Sequence, residues 1–394
     1  MRIILVRLSA LLVIMVSGLA SSPSREQGGI PGGGVPELKE TQSGSEDLDR
    51  WIGQMLMVGF RGTELTEEDP FLQLIGNLHL GGVVLFDYDV PSRSTVRNIV
   101  SAAQTHRLTD QLQRAARSPL FIAIDQEGGR VVRLKERHGF PATLSAAELG
   151  RRDEESLTRS SAGEMADLLT DLGINLNFAP VLDLAVNPDN PVIAALERSF
   201  GSDSDRVLRH GRWTIEEFHR RGLLSAVKHF PGHGSSREDS HLGLPEVTGE
   251  WGAVELEPFR RLIQEGLPDM IMTAHLFNAD WDPEYPATLS GAVITTMLRQ
   301  DLGFQGVIVS DDMQMGAIVQ NYTLEKGIER AVEAGVDILL FANNSSYDPK
   351  IAEKAFNILR RLVDQGVVSR GRIEESFQRI SRLKEKLRNN SLNN

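Results

Sequence analysis

Between Met55 and Ala342 the chain alternates two textures. Short apolar runs, many of them rich in β-branched residues, recur along it. They are "MLMVGF" from Met55, "GGVVLF" from Gly81, "LFIAID" from Leu120 and "NLNFAP" from Asn175, then "SAVKHF" from Ser225, "MIMTAH" from Met270, "VIVSD" from Val307 and "DILLFA" from Asp337. Runs this short and this continuously apolar suit parallel strands buried on both faces. Longer amphipathic stretches lie between and after them, such as "RNIVSAAQTHRLTDQLQRAARS" and "AFNILRRLVDQG". Strand followed by helix, repeated about eight times, predicts an α/β fold: a single (β/α)8 TIM-type barrel over residues 47–388. An open doubly wound sheet is the alternative, but no G-x-G-x-x-G follows the first strand to favour it.

Two segments precede the barrel pattern. "MRIILVRLSALLVIMVSGLASS" has Arg2 and Arg7, then an apolar run from Leu8 to Ala20, with small residues at Gly18 and Ala20. This reads as a secretory signal peptide over residues 1–20, and it predicts an exported, periplasmic or extracellular protein without a stable span after cleavage; an uncleaved membrane anchor is the alternative, for which the apolar run is short. Residues 21–46, "SSPSREQGGIPGGGVPELKETQSGSE", are dominated by Gly, Pro and Ser and read as a flexible linker.

Composition narrows the chemistry. The 394 residues carry a formal net charge of -12 and no long Lys/Arg run, which argues against a nucleic-acid partner. There is no cysteine, so disulfides, thiolate nucleophiles and Cys-ligated zinc are excluded. A monomer is expected.

Polar residues end four of the apolar runs: Asp125 the third, His229 the fifth, His275 the sixth and Asp311 the seventh. In a barrel of this kind the strand C-terminal ends face the active site, so the four are expected to converge on one mouth. The loop after the fifth run, "KHFPGHGSSREDSH" from Lys228 to His241, adds more ionisable groups. Four readings compete for it. His229, His233, His241 and Asp239 offer metal ligands, but the first strand lacks the His-x-His pair that barrel metal enzymes usually carry. Lys228 offers a Schiff-base nucleophile, which needs a depressed pKa; strand alternation points the adjacent His229 to the other side. Asp239 and His241 offer a proton-transfer pair, with the carboxylate orienting the imidazole. A solvated polar turn is the bland reading. Asp311 tips the balance, because a carboxylate nucleophile plus a separate acid/base is the requirement for retaining glycoside hydrolysis.

Together "IDQEGGRVVRL", "NLNFAPVLDL", "ERSFG", "KHFPGHGSSREDSH" and "VIVSDDMQM" resemble glycoside hydrolase family 3, in particular its β-N-acetylglucosaminidase branch, from about Leu48 to Leu387. The resemblance implies a two-step retaining mechanism without metal or cofactor. Asp311 would be the nucleophile, His241 the acid/base and Asp239 its orienting partner. Asp125, Arg133, Arg198, Lys228 and His229 would grip the sugar. Asp312 would support the turn. The β-glucosidase branch usually takes its acid/base from a Glu carried elsewhere, so the Asp-Ser-His loop points to exo-cleavage of terminal β-linked N-acetylglucosamine from peptidoglycan fragments or chitin oligomers. Phosphorolysis is an alternative, since a histidine does not repel phosphate as a carboxylate would. A Schiff-base lyase and a non-catalytic sugar-binding barrel are readings from other classes. One departure stands out: the family often has Ile-Gly-x-Arg before Ser-Phe-Gly, whereas "VIAALERSF" lacks the Gly and is about two residues longer, which leaves the reach of Arg198 open.

Overall fold

The computed structural model describes residues 42–393. The expected signal peptide, and residues 21–41 of the expected linker, lie outside the described residues. Each apolar run supplies one strand: β1 (Leu56–Gly59), β2 (Gly82–Leu85), β3 (Phe121–Ile124), β4 (Leu176–Asn177), β5 (Leu224–Phe230), β6 (Met270–Thr273), β7 (Val307–Val309) and β8 (Leu339–Phe341). All pair in parallel, in the order β7-β6-β5-β4-β3-β2-β1-β8. The two ends of this sheet meet at a parallel bridge between Val309 and Ile338, where Ser310 N donates to Ile338 O at 2.9 Å. The barrel is therefore nearly closed, which removes exposed strand edges. Every strand residue is buried, including the polar Asn177 of β4, Thr273 of β6 and Ser225, Lys228 and His229 of β5 among otherwise apolar runs.

The helices that pack around the strands are α1 (Gln42–Gln54), α2 (Pro70–Asn77), α3 (Ala102–Ala115), α4 (Ala146–Arg152), α5 (Glu155–Asp171), α6 (Ser204–Arg220), α7 (Glu257–Gln264), α8 (Gly316–Val319), α9 (Leu324–Ala334), α10 (Ile351–Asp364) and α11 (Arg370–Asn393), with a π-helical segment at Ala292–Asp301. Capping residues mark several starts. Ser101, Ser145, Asp203 and Thr323 each accept a hydrogen bond from the backbone N–H three residues on. In α6 the buried positions Val207, Leu208, Gly211, Thr214, Ile215 and Phe218 recur at helical spacing, so one stripe of this helix faces the barrel.

The start of α1 corrects the expected linker. The helix opens at Gln42, inside the stretch read as flexible. Low hydrophobicity over residues 21–46 hid a docking face just beyond. Leu48 and Ile52 are buried, Trp51 stacks on Phe377 of α11 at 5.9 Å, and Arg360 of α10 donates to Asp49 at 2.6 Å. These contacts seat the later turns of the helix, and Arg360 Nη2 also donates to Ser45 Oγ at 3.3 Å, so order extends back into a stretch that local composition alone would leave loose.

Candidate active site

The C-terminal ends of the strands open onto a cavity of about 610 Å³, within the range of small-ligand sites. Asp125, Arg133, Arg198, Lys228, His229, His241 and Asp311 all line it. The structure thus brings together the residues nominated as catalytic or sugar-binding, Asp239 through its bond to His241. His275 differs: it is buried as scaffold, with Nδ1 bonded to Thr288 Oγ1 at 2.8 Å and Nε2 to the carbonyl of Asp312 at 3.0 Å. The strand-end pattern therefore held for Asp125, His229 and Asp311, while His275 braces the turn behind them.

One wall is a network of alternating charge. Lys228 Nζ lies 2.7 Å from both Asp125 Oδ1 and Glu127 Oε1. Arg198 grips Glu127 with two bonds, Nε to Oε2 and Nη2 to Oε1, each 2.7 Å. Arg133 reaches Asp125 Oδ2 at 3.2 Å. Bidentate Arg–carboxylate pairs of this kind are both strong and directional. Burial alone would push the Asp125 and Glu127 carboxyls up. Lys228 and Arg133 outweigh it at Asp125, and Arg198 and Lys228 hold Glu127 down to about 2. The Lys228 side chain is 2% exposed and its Nζ is held between two carboxylates, a position that suits a structural ion pair and does not favour the imine reading.

His229 stands beside this wall, not on the far side as strand alternation predicted. The register of β5 against β6 shifts between Val227 and Phe230, so the regular alternation of side chains fails there. The Lys228–His229 peptide is cis. Asp183, fully buried, fixes the ring: His229 Nδ1 lies 2.6 Å from Asp183 Oδ2, which leaves Nε2 facing Arg198 Nη2 at 3.3 Å. Arg198 reaches the site despite the longer segment before it, with Nη1 donating to Val192 O at 2.9 Å and folding that segment back on itself.

Asp311 and Asp312 are adjacent but differ in environment. Asp312 is buried under the turn, and its Oδ1 accepts from Gln314 N at 3.0 Å and Ala342 N at 2.9 Å. Burial, with Asp311 alongside, pushes its carboxyl up to about 7. Asp311 lines the cavity, and its Oδ1 accepts only from the neighbouring Asp312 N–H, at 2.8 Å, among the bonds described for it. Burial would raise it too, but the imidazoles of His275, His229 and His241 hold it below the usual carboxylate range. Both border the cavity, but Asp311 is the more exposed and the ionised one, whereas Asp312, buried and held by two backbone donors, is the buttress.

On the loop after β5, Asp239 Oδ1 binds both His241 N at 2.8 Å and His241 Nδ1 at 2.7 Å. This fixes the ring and leaves Nε2 as its working nitrogen. The His241 side chain is 59% exposed, so solvent and substrate can reach it. Among the described residues, no three His, Asp or Glu side chains converge as a metal site. Of the imidazoles offered as ligands, His229 and His241 bond carboxylates through Nδ1, to Asp183 and Asp239.

Residues 47–383 match the glycosyl hydrolase family 3 N-terminal domain. The chain belongs to glycoside hydrolase family 3. It is 38% identical to a beta-hexosaminidase of Alkalilimnicola ehrlichii, over 80% of this chain and 86% of the relative. It is 34% identical to beta-hexosaminidase A of Pseudoalteromonas piscicida, over 85% of this chain but 60% of that protein. Among solved structures it resembles a family 3 beta-N-acetylglucosaminidase from a Paenibacillus species, with 37% identity and a TM-score of 0.78 over 86% of this chain and 62% of that one. A beta-N-acetylhexosaminidase from Beutenbergia cavernae aligns over 98% of its length, with 29% identity and a TM-score of 0.72.

Two residues of the site escaped the sequence reading. Glu127 lies two positions after Asp125, and Asp183 sits in the quoted "NLNFAPVLDL". Their partners are 71 and 46 residues away in the chain. The available signal was a carboxylate just beyond an apolar run, which marks a barrel mouth but not a partner.

Proposed function

We propose that this chain is a retaining exo-β-N-acetylglucosaminidase that works through a glycosyl–aspartate intermediate. The observation that carries the reading is the pair of facing devices on one cavity: an ionised Asp311 at the end of β7, and an Asp239-oriented His241 on the loop after β5. In the first step an oxygen of Asp311 attacks the anomeric carbon and the bond to the aglycone oxygen breaks. His241 Nε2–H protonates that oxygen as it leaves, and Asp239 stabilises the imidazolium through Nδ1–H. In the second step neutral His241 takes a proton from water, the water oxygen attacks the anomeric carbon, and the bond to Asp311 breaks. Asp125, held by Lys228 and Arg133, accepts from sugar hydroxyls. His229 Nε2 and the Arg133 and Arg198 guanidinium groups complete the grip. Contacts that tighten as charge develops on the ring favour the transition state.

The substrate class is a terminal β-linked N-acetylglucosaminide from peptidoglycan fragments or chitin oligomers, in keeping with the names of the relatives. The apolar run from Leu8 to Ala20 behind Arg2 and Arg7 supports export, and N-terminal sequencing of the native protein would show a start near Ser21; an intact Met1 on a cytosolic protein would reject it.

Leaving-group kinetics test the dyad. Removing His241 deletes the acid that a sugar alcohol needs and that a stable phenolate does not. His241→Ala should therefore lose ~10²–10⁴-fold in kcat/KM on chitobiose and far less on an activated aryl N-acetylglucosaminide. Asp239→Ala should show the same bias more mildly, and the double variant should be little worse than His241→Ala. Equal losses on both substrates would mean that His241 binds sugar rather than transferring a proton. Adding phosphate to the wild-type assay separates hydrolysis from phosphorolysis by the product, free sugar or sugar 1-phosphate.

A further inference from the structure

We infer that α8, the short helix just beyond the nucleophile, is the seat that holds the acid/base loop over Asp311, with Gly316 and Gln320 as its positioning residues. The inference rests on the dyad assigned above. The tip of the loop has little packing of its own: the His241 side chain is 59% exposed and Leu242 76%. Three contacts tie it to the β7 side of the barrel. Ala317 N donates to Ser240 O at 3.1 Å. Gln320 Nε2 donates to Leu242 O at 3.1 Å. Gly316 lies directly under His241, so that a Cβ there would fall 2.5 Å from His241 O and 2.9 Å from Gln320 Nε2.

These contacts act on the backbone of residues 240, 241 and 242, the stretch that aims the imidazole. The seat is tied to the nucleophile through the chain itself: Met315 N donates to Asp312 O at 3.0 Å, and Asp312 directly follows Asp311. One segment thus sets the position of both catalytic groups. At the root of the loop Glu255 Oε2 accepts from Ser235 N at 3.1 Å, so the loop is anchored at its base and seated at its tip. A general acid must sit within about 3 Å of the oxygen it protonates, and misplacement by about 1 Å can cost about 10²-fold in rate. The seat supplies that placement.

Two substitutions test this. Gly316→Ala puts a methyl carbon 2.5 Å from His241 O, too close for the loop to keep its place, while alanine suits a helical position better than glycine. Gln320→Leu removes the donor to Leu242 O and adds nothing beneath His241. The readout is kcat/KM on chitobiose and on 2,4-dinitrophenyl N-acetylglucosaminide, with His241→Ala alongside. On chitobiose, Gly316→Ala should lose about 10²-fold and Gln320→Leu about fivefold. On the aryl substrate both should stay within about threefold of wild type, because its departure needs little protonation; that turnover also shows that the variants are folded. Equal losses on both substrates, or wild-type values on chitobiose, would overturn the inference. If His241→Ala shows the leaving-group bias and the α8 variants do not, the seat fails and the dyad stands. If His241→Ala itself lacks the bias, the dyad assignment fails and takes the seat with it.

Discussion

Glu127 is the keystone of the cationic wall, and replacing it with glutamine tests that role in depth. Glu127→Gln keeps the shape but removes the charge that Arg198 and Lys228 share, leaving two buried cations with fewer partners. Burial opposes the charged carboxylate, and Arg198 and Lys228 overcome it, taking the group from 4.5 to about 2. At ~1.4 kcal/mol per pKa unit the folded state then favours the ionised form by about 3 kcal/mol. Breaking a buried ion pair by removing one partner typically costs ~3–5 kcal/mol, which agrees. With an unfolding entropy of ~2.1 cal/mol/K per residue, a barrel of this size should lose about 4 °C in Tm. The sign of the pH dependence follows from the lowered pKa. The stabilisation is full above the ordinary carboxylate value and is lost as pH falls from about 4.5 toward 2. The gap in Tm between wild type and variant, followed by circular dichroism, should therefore be widest near pH 7 and narrow between pH 5 and 3. The same variant should lower kcat/KM on chitobiose and on an aryl glycoside alike, because the damaged wall grips the sugar and not the leaving group. An unchanged Tm at pH 7, or a gap that does not depend on pH, would refute the keystone role.

Other outcomes follow from the same geometry. Asp311→Asn should lose ~10⁴-fold or more in kcat with the fold intact, whereas Asp312→Asn keeps its turn acceptor and should stay within about tenfold of wild type. Since burial raises the Asp312 carboxyl to about 7, its ionisation should erode stability as pH rises from about 4 through 7, and the Asn variant should flatten that part of a Tm-versus-pH curve. Prolonged EDTA treatment should leave turnover unchanged; loss restored by zinc would revive the metal reading of the loop histidines.

The barrel was legible because its strands are buried on both faces, so that each reads as a continuous apolar run that no helix period imitates. The residues proposed as nucleophile and dyad could be nominated because each falls just past such a run or within a short loop pair. What stayed hidden depends on long-range packing. Helix α1 is seated by Phe377 and Arg360, far along the chain, while the composition at its start resembles a linker. The facing of His229 depends on a register shift within β5 that no two-residue period anticipates. Glu127 and Asp183 acquire their roles only when β3, β4 and β5 close beside one another and bring Arg198, Lys228 and His229 to them.

The central claim is the covalent bond to Asp311, and trapping it is the most direct test. A 5-fluoro N-acetylglucosaminyl fluoride slows the departure of the enzyme carboxylate, so the intermediate should accumulate and survive proteolysis. Peptide mapping by mass spectrometry should place one sugar on Asp311. A sugar on Asp312 or another carboxylate would contradict the assignment, as would turnover of the reagent with inversion of the anomeric centre.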